Sequence, residues 1–499
     1  MKKIAFIMSV IMAFCQLSAL ATTWSAEKAI FVTYNDTEIA PVDVIPYIEN
    51  DRVMVPARYV LEKLGATVEW NELDKIVTVR KGDVVNVIKT DTKTATKTVG
   101  LHDVYEIELD VAPTIKYDRV FVPIRYFAEA IGVDVEWNGD TRTVELRDNA
   151  KMTFEEKLFN SIQNDKNFMV SPISIKMALA MTANGAHGDT KTEMLNTLGI
   201  ADLDEYNAET KELIERFNEL NTSKDSHTEF KISNSIWINS DTAGEKARFD
   251  DKFTSTVANN YFGTSSVVNK KNAVDKINAW VSDATNKKIT EITQNSDFLA
   301  MLINAIYMKA KWIDSFDKSN TYKEAFTDIE GNATDIDFMH QTERYGYYKD
   351  ATTEAVEIPY YDGLCMYAIK GDADFNKLKD MDYRRVRLSM PKWTARSSFD
   401  LKDTLYNMGM KKAFMESADF SKMLTSDTGL LIDSVIHKTY INVDEEGTEA
   451  AAVTAVVVGA TSALLEDPIE FKLNEPFTYY IYDRITDTIL FMGKMLYAE

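Results

Sequence analysis

The spacing of apolar and polar positions changes several times along the chain, and each change marks a different element. A predominantly apolar run from Ile4 to Leu20 follows Lys2 and Lys3. A unit then appears twice, as D-R-V-M-V-P-A-R-Y-V-L-E-K-L-G-A-T-V-E-W-N from Asp51 and D-R-V-F-V-P-I-R-Y-F-A-E-A-I-G-V-D-V-E-W-N from Asp118, at a constant offset of 67 positions. Each copy predicts a short strand, Pro56 or Pro123 at a first helical position, and a short helix. Gly65 or Gly132 then serves as a left-handed cap, and an alternating strand ends at Trp70 or Trp137.

The polar junction Asp148-Asn149-Ala150-Lys151 leads into a second pattern. Phe154, Leu158, Phe159 and Ile162 have helical spacing. The stretch N-F-M-V-S-P-I-S-I-K-M-A-L-A-M-T-A-N-G predicts a strand ending near Ser171, a helix from Pro172 and a stop at Gly185. S-N-S-I-W-I-N, L-I-N-A-I-Y-M-K-A-K-W and V-R-L-S-M-P-K-W alternate or run apolar as strands do, with helical stretches between them. Residues 152–499 therefore predict an α+β domain built on a large sheet.

One segment lacks an obvious place in that sheet. From Val443 to Leu465 the chain reads V-D-E-E-G-T-E-A-A-A-V-T-A-V-V-V-G-A-T-S-A-L-L, and Ala450 to Val458 holds no charge, no Gly and no Pro. Such a run wants to be a buried strand and is prone to insert into a sheet or aggregate at its edge. With a side-chain period of two, Thr448, Ala450, Ala452, Thr454, Val456 and Val458 share one face, and Glu449 lies on the other. Gly447 lets the hinge rotate at low steric cost, and the small Thr448, Ala450, Ala451 and Ala452 enter a sheet without overpacking it.

Composition narrows the function. An apolar content of 45% supports full cores, and a formal charge of -22 argues against nucleic acid and anionic membranes as partners. Lys2-Lys3, the apolar run and Ala19-Leu20-Ala21 make residues 1–21 a cleaved secretory signal; a retained anchor fits less well, because the run is short for a span. Cys15 lies within it, so Cys365 is the one thiol left after cleavage and no internal disulfide forms.

Candidate catalytic chemistry is sparse. The chain has no G-x-S-x-G, no G-x-x-x-x-G-K, no H-E-x-x-H and no C-x-x-C. Ser171 and His437 are the one candidate pair of nucleophile and base; a buried histidine satisfied by hydroxyl and amide groups is the competing reading. Residues 29–147 contain one histidine, His102, and no Cys, which disfavours a copper site. Arg58 and Arg125 recur in register between the two repeats and are assigned a structural role. No cofactor or metal is expected, and the protein is not expected to be an enzyme.

Two resemblances organise these observations. The repeat, over residues 29–147, resembles the copper amine oxidase N-terminal-like domain of secreted bacterial proteins, which implies a stalk or attachment module with a cell-surface ligand. N-F-M-V-S-P-I-S-I at Asn167, N-A-I-Y-M-K-A-K-W at Asn304, E-E-G-T-E-A-A-A at Glu445, F-K-L-N-E-P-F at Phe471 and L-F-M-G-K at Leu490 together resemble the serpins, across residues 152–499. That resemblance implies three sheets, about eight or nine helices and an exposed reactive loop that baits a protease. After cleavage and acyl-enzyme formation the loop inserts as a new strand and distorts the protease.

By the same correspondence, the hinge comprises Glu445, Gly447, Thr448, Glu449, Ala450, Ala451 and Ala452. Ser171, Ser174, Asn304 and His437 form a hydrogen-bonded cluster that controls sheet opening, and Trp312 lies where the loop first enters. The family's hinge length places the reactive bond at Thr461-Ser462. A few surplus residues before Pro476 leave Ala460-Thr461, Leu464-Leu465 and Leu465-Glu466 as alternatives. From Gly447 to Thr461 an extended loop spans roughly 46 Å, enough to carry a protease across a domain.

Between Glu449 and Lys472 there is no Lys or Arg, so a cation-seeking S1 pocket finds nothing. The expected targets are elastase-like or subtilisin-like serine proteases, with papain-like cysteine proteases as further candidates. The acidic stretch A-D-L-D-E-Y-N-A-E-T-K-E-L-I-E-R-F argues against a glycosaminoglycan activator. The expectation is a secreted, monomeric, irreversible inhibitor, extracellular or at the cell surface. The alternative is a non-inhibitory serpin-fold binding or scaffold protein there.

Overall fold

The computed structural model describes residues 29–498, apart from 36, 40–44, 82–83, 100–102, 140, 149–151, 163–165, 372–374, 379–380, 426–428 and 449–466. Residues 1–21, expected to be a secretory signal, and His102 lie outside the described residues. The chain divides into two compact units, Met1–Met152 and Thr153–Glu499.

In the first unit the repeat forms as strand, helix, strand in both copies: Arg52–Pro56, Ala57–Lys63 and Thr67–Asn71, then Arg119–Pro123, Ile124–Ala130 and Val133–Asn138. Gly65 and Gly132 close the helices with φ of 80° and 78°, the left-handed conformation expected of them. The prolines differ from expectation. Pro56 and Pro123 end the strands as N-caps with ψ of 110° and 113°, one position before the helix. A missing N–H is tolerated there, because both close the ladder in which Phe121 faces Pro56 and Pro123 faces Met54. Arg58 and Arg125 each meet a glutamate one turn on, Glu62 and Glu129, at 3.7 and 3.2 Å. Among the described residues no group of three or more His, Cys, Asp or Glu is arranged to hold a metal.

The second unit is built around a six-stranded sheet of β1 (Thr228–Asn239), β2 (Thr264–Val268), β3 (Ala300–Lys311), β4 (Trp393–Asp400), β5 (Ser434–Asp444) and β6 (Gly447–Thr448), in the order β2-β1-β3-β6-β5-β4. Strand β3 is covered on both faces, which is why its sequence runs apolar without alternation. Met301, Ile303 and Ala305 pack with Ile277 and Val281 of the helix Ala273–Ala284. Leu302 and Ile306 face the main core on the other side. Beneath that face runs α1 (Pro172–Ala183), capped by Ser171 and begun by Pro172 as its sequence predicts.

Strand β5 alternates strictly, with Val435, His437, Thr439, Ile441 and Val443 turned inward. The other strands form a second sheet of nine. Its long strand Ala333–Lys349 pairs with Thr321–Thr327 along its first half and with Thr353–Pro359 at its end, so two of the three expected sheets are continuous in hydrogen bonding. Eight α-helices lie in this unit among the described residues. No helix among them is long and apolar enough to cross a membrane.

Candidate functional site

Sheet register brings three polar residues into one row across three strands: Asn234 of β1 faces Asn304 of β3, which faces His437 of β5. None of the three is more than 2% exposed, so each must find partners inside the protein. His437 Nε2 accepts from the backbone N–H of Ser171 at 3.1 Å. The ring proton therefore sits on Nδ1, 2.6 Å from Asn304 Oδ1. The Asn304 amide donates to Asn234 Oδ1 at 2.6 Å and to the Ser174 carbonyl at 3.1 Å, and it also touches Ser174 Oγ.

Burial pushes the His437 pKa down to about 3, and a second ring proton would point at the Ser171 N–H. The ring therefore stays neutral at physiological pH. The pairing of Ser171 with His437 as nucleophile and base does not form. The imidazole meets the backbone N–H of Ser171, while Ser171 Oγ caps α1 by accepting from Ser174 N–H at 3.4 Å.

Among the described residues the direct pairing of β3 with β5 ends above this row. β3 and β5 pair directly, in parallel, from Met301 with Ser434 to Ile306 with Thr439. Farther along, β6 lies between them, antiparallel to both: Thr448 faces Ala310 and Val443, and Gly447 faces Lys311 and Asp444. Between these two regions Tyr307–Lys309 and Tyr440–Asn442 pair with the outer strands β1 and β4 but, among the described residues, with no strand between them.

Gly447 is required where it stands. Its φ is +147°, and a Cβ there would lie 2.1 Å from the Ala310 carbonyl oxygen. Thr448 is fully buried and its Oγ1 is 2.6 Å from the Tyr360 hydroxyl.

The turn before β6 is anchored by Trp312. Its indole N–H donates to the Asp444 carbonyl and its backbone N–H to that of Glu446, both at 3.0 Å. Its ring stacks on Tyr360 at 4.0 Å. Glu445 is 4% exposed and pairs with Lys392 at 2.9 Å and with Thr321 Oγ1 at 2.9 Å. Burial alone would raise its carboxyl pKa, but these bonds outweigh that and hold it below the ordinary value. Glu446 pairs with Lys318 at 2.8 Å.

This architecture is a known one. The family model described as Serpin (serine protease inhibitor) matches residues 149–498. The chain belongs to the serpin family. The model for the copper amine oxidase N-terminal domain matches residues 33–146.

An uncharacterized serpin-like protein of Thermococcus kodakarensis is 33% identical to this serpin over 372 residues, covering 70% of this chain and 85% of that protein. Serpin B3 of Homo sapiens is 32% identical, covering 69% and 97%. Among solved structures, the thermophilic serpin tengpin in its native state has a TM-score of 0.61 at 30% identity, over 69% of this chain and 92% of that one. Thyroxine-binding globulin in complex with thyroxine gives 0.60 at 27%, over 70% and 98%. Serpins are typically protease inhibitors, though the similar structures are diverse.

Of the site residues named from sequence, Ser171, Ser174, Asn304 and His437 come together in one cluster, and Glu445, Gly447, Thr448 and Trp312 in another. Glu449, Ala450, Ala451, Ala452, Ala460, Thr461, Ser462, Leu464 and Leu465 lie outside the described residues. Sequence reasoning missed Asn234, Tyr360, Lys392 and Thr321. Asn234 left one signal, the polar triplet S-N-S that breaks the alternation of β1. The other three left none, since strand pairing and packing alone bring them to the hinge.

Proposed function

We propose that this serpin is a secreted, irreversible inhibitor of elastase-like or subtilisin-like serine proteases, trapping them by loop cleavage and insertion. The observation that carries this reading is the placement of Gly447-Thr448 between β3 and β5, with three rows beyond them that no described residue bridges. In the same register Glu449, Ala450 and Ala451 would stand opposite Lys309, Met308 and Tyr307. Ala452 would be the first residue to face Ile306 and Thr439. Insertion through Ala451 thus breaks no β3–β5 pairing, and each later step exchanges parallel pairing for two antiparallel ladders. Thr448 is buried, so Ala450 and Ala452 would follow it inward and Glu449 would point out.

The polar row and Trp312 are proposed as conformational controls. The row spans β3 and β5, and its bonds are exchanged when those strands separate. The reactive bond is proposed at Thr461-Ser462, and the lack of Lys and Arg from 450 to 471 supports a target pocket for small or aliphatic residues.

The test is incubation with elastase and subtilisin, followed by denaturing electrophoresis and mass spectrometry. A covalent complex and a released peptide beginning at Ser462 are expected. Clean cleavage without a complex would favour a non-inhibitory binding protein, a reading that draws on the likeness to thyroxine-binding globulin. Ala452→Arg is expected to shift the outcome from complex to cleavage by about tenfold or more, because a buried unpaired charge costs several kcal/mol.

A further inference from the structure

The strand Ile469–Lys472, which follows the loop, pairs in parallel with Asp382–Pro391 from Val386 with Ile469 to Ser389 with Lys472. On its other side Ser389 faces His340 of Ala333–Lys349. His340, Ser389 and Lys472 therefore stand in one row on one face of the sheet. Glu324, on the outer strand Thr321–Thr327, reaches both ends of that row. It forms an ion pair with Lys472, and its Oε1 lies 3.7 Å from His340 Nε2. Tyr322 covers the imidazole, stacked at 4.0 Å. Nδ1 is 2.9 Å from Ser389 Oγ, whereas Nε2 is buried without a hydrogen-bond partner.

We propose that His340 is a proton-operated latch on the strand leaving the loop. Uptake of a solvent proton leaves both ring nitrogens as donors, Nδ1 to Ser389 and Nε2 to Glu324. The carboxylate is drawn from Lys472, and a second cation joins the row beside it. Lys472 loses its counter-charge, and Ile469–Lys472 loosens from Asp382–Pro391.

The charged groups acting on the ring are Glu324 from the outer strand and Lys472 from the exit strand. Asp382–Pro391 supplies a neutral hydroxyl, and Tyr322 its ring. Burial, with Lys472 adding and Glu324 opposing, holds the imidazole pKa below its ordinary value. The native contact is therefore complete above about pH 6.5 and weakens as pH falls below it.

Hydrogen exchange of the full chain, corrected for the intrinsic pH dependence of exchange, tests this. Protection of the amides of 469–473 is expected to fall about three- to tenfold between pH 7.5 and 5.5 in the wild type. In His340→Gln it is expected not to change, and in Glu324→Gln it is expected to be low at both pH values. Equal loss in wild type and His340→Gln, or full protection in Glu324→Gln, would overturn the latch. Should His340→Gln fail to fold, the wild-type His340 ring is titrated by NMR. Its midpoint is expected to coincide with the loss of protection, and a separation above about one pH unit would overturn the proposal. No protease enters the measurement, so its failure is distinguishable from failure of the inhibitor reading.

Discussion

Gly447→Ala is expected to abolish most covalent trapping while leaving loop cleavage intact. The added methyl would sit 2.1 Å from the Ala310 carbonyl oxygen and 2.8 Å from the Lys311 Cα, both backbone atoms of the central strand β3. Neither can move without breaking the ladder of β3 with β1. The hinge must leave the slot instead, giving up its pairing with both neighbours and the bond between Thr448 and Tyr360. The penalty combines a strained conformation with lost hydrogen bonds, about 3 kcal/mol or more. Before cleavage the hinge escapes the clash by leaving the slot, whereas in the proposed insertion it must pass back through it, so the clash falls on the insertion step. In the proposed mechanism insertion must outrun hydrolysis, so a barrier raised by even half of this favours hydrolysis about tenfold. The ratio of complex to cleaved serpin on a denaturing gel reads the effect directly. An unchanged ratio would show that the hinge does not travel through this slot.

His437→Ala is expected to lower native stability by about 3 to 5 kcal/mol, with little change in which proteases cleave the loop. Removing the ring strands the Ser171 N–H and the Asn304 Oδ1, each costing about 1 to 3 kcal/mol, and leaves a cavity in a fully buried site. Because the lost bonds join β5 to β3 and to the start of α1, the variant is expected to convert to an inactive form faster at 37 °C. Retained activity after timed incubation measures that.

The wild-type ring also carries a pH signature. Its folded pKa, about 3, lies below the unfolded value of about 6.5. The stabilisation is complete above pH 6.5 and declines by about 1.4 kcal/mol per pH unit down to about 3. Urea denaturation of wild type and His437→Gln at pH 7.5, 5.5 and 4.5 isolates the histidine's contribution, since all other titrating groups are common to both. Parallel stability curves would show that the histidine does not stay neutral in the fold.

Local chemistry made part of this protein legible in one dimension. The repeat could be read because Gly65 and Gly132 need left-handed backbone and the flanking strands alternate, both properties of neighbouring residues. Strand β5 alternates by the same local rule, but it is the structure that turns His437 to its inward face. The prolines of the repeat stand one position before the helical site their sequence suggests, because Pro is permitted both at a strand end and at a helix start, and only the pairing with Phe121 and Met54 decides between them. The candidate site was legible through its hinge composition and through resemblance, not through spacing. Ser171, Asn304 and His437 lie more than a hundred residues apart from one another.

By itself the sequence determined that a small, uncharged, β-forming segment follows a glycine hinge, which of its residues share a face, and that no cation lies in it. Those properties belong to residue types and to a period of two, so they hold whatever the segment packs against. Only the tertiary structure decided where the hinge residues Gly447 and Thr448 lie. The slot exists because β3 and β5 are parallel neighbours that part after Ile306 and Thr439. The row of Asn234, Asn304 and His437 exists because three distant strands share one register. The need for Gly447 comes from the Ala310 carbonyl oxygen beside it. Each of these is a contact between segments far apart in the chain, and strand register and sheet order, which no local pattern encodes, create it.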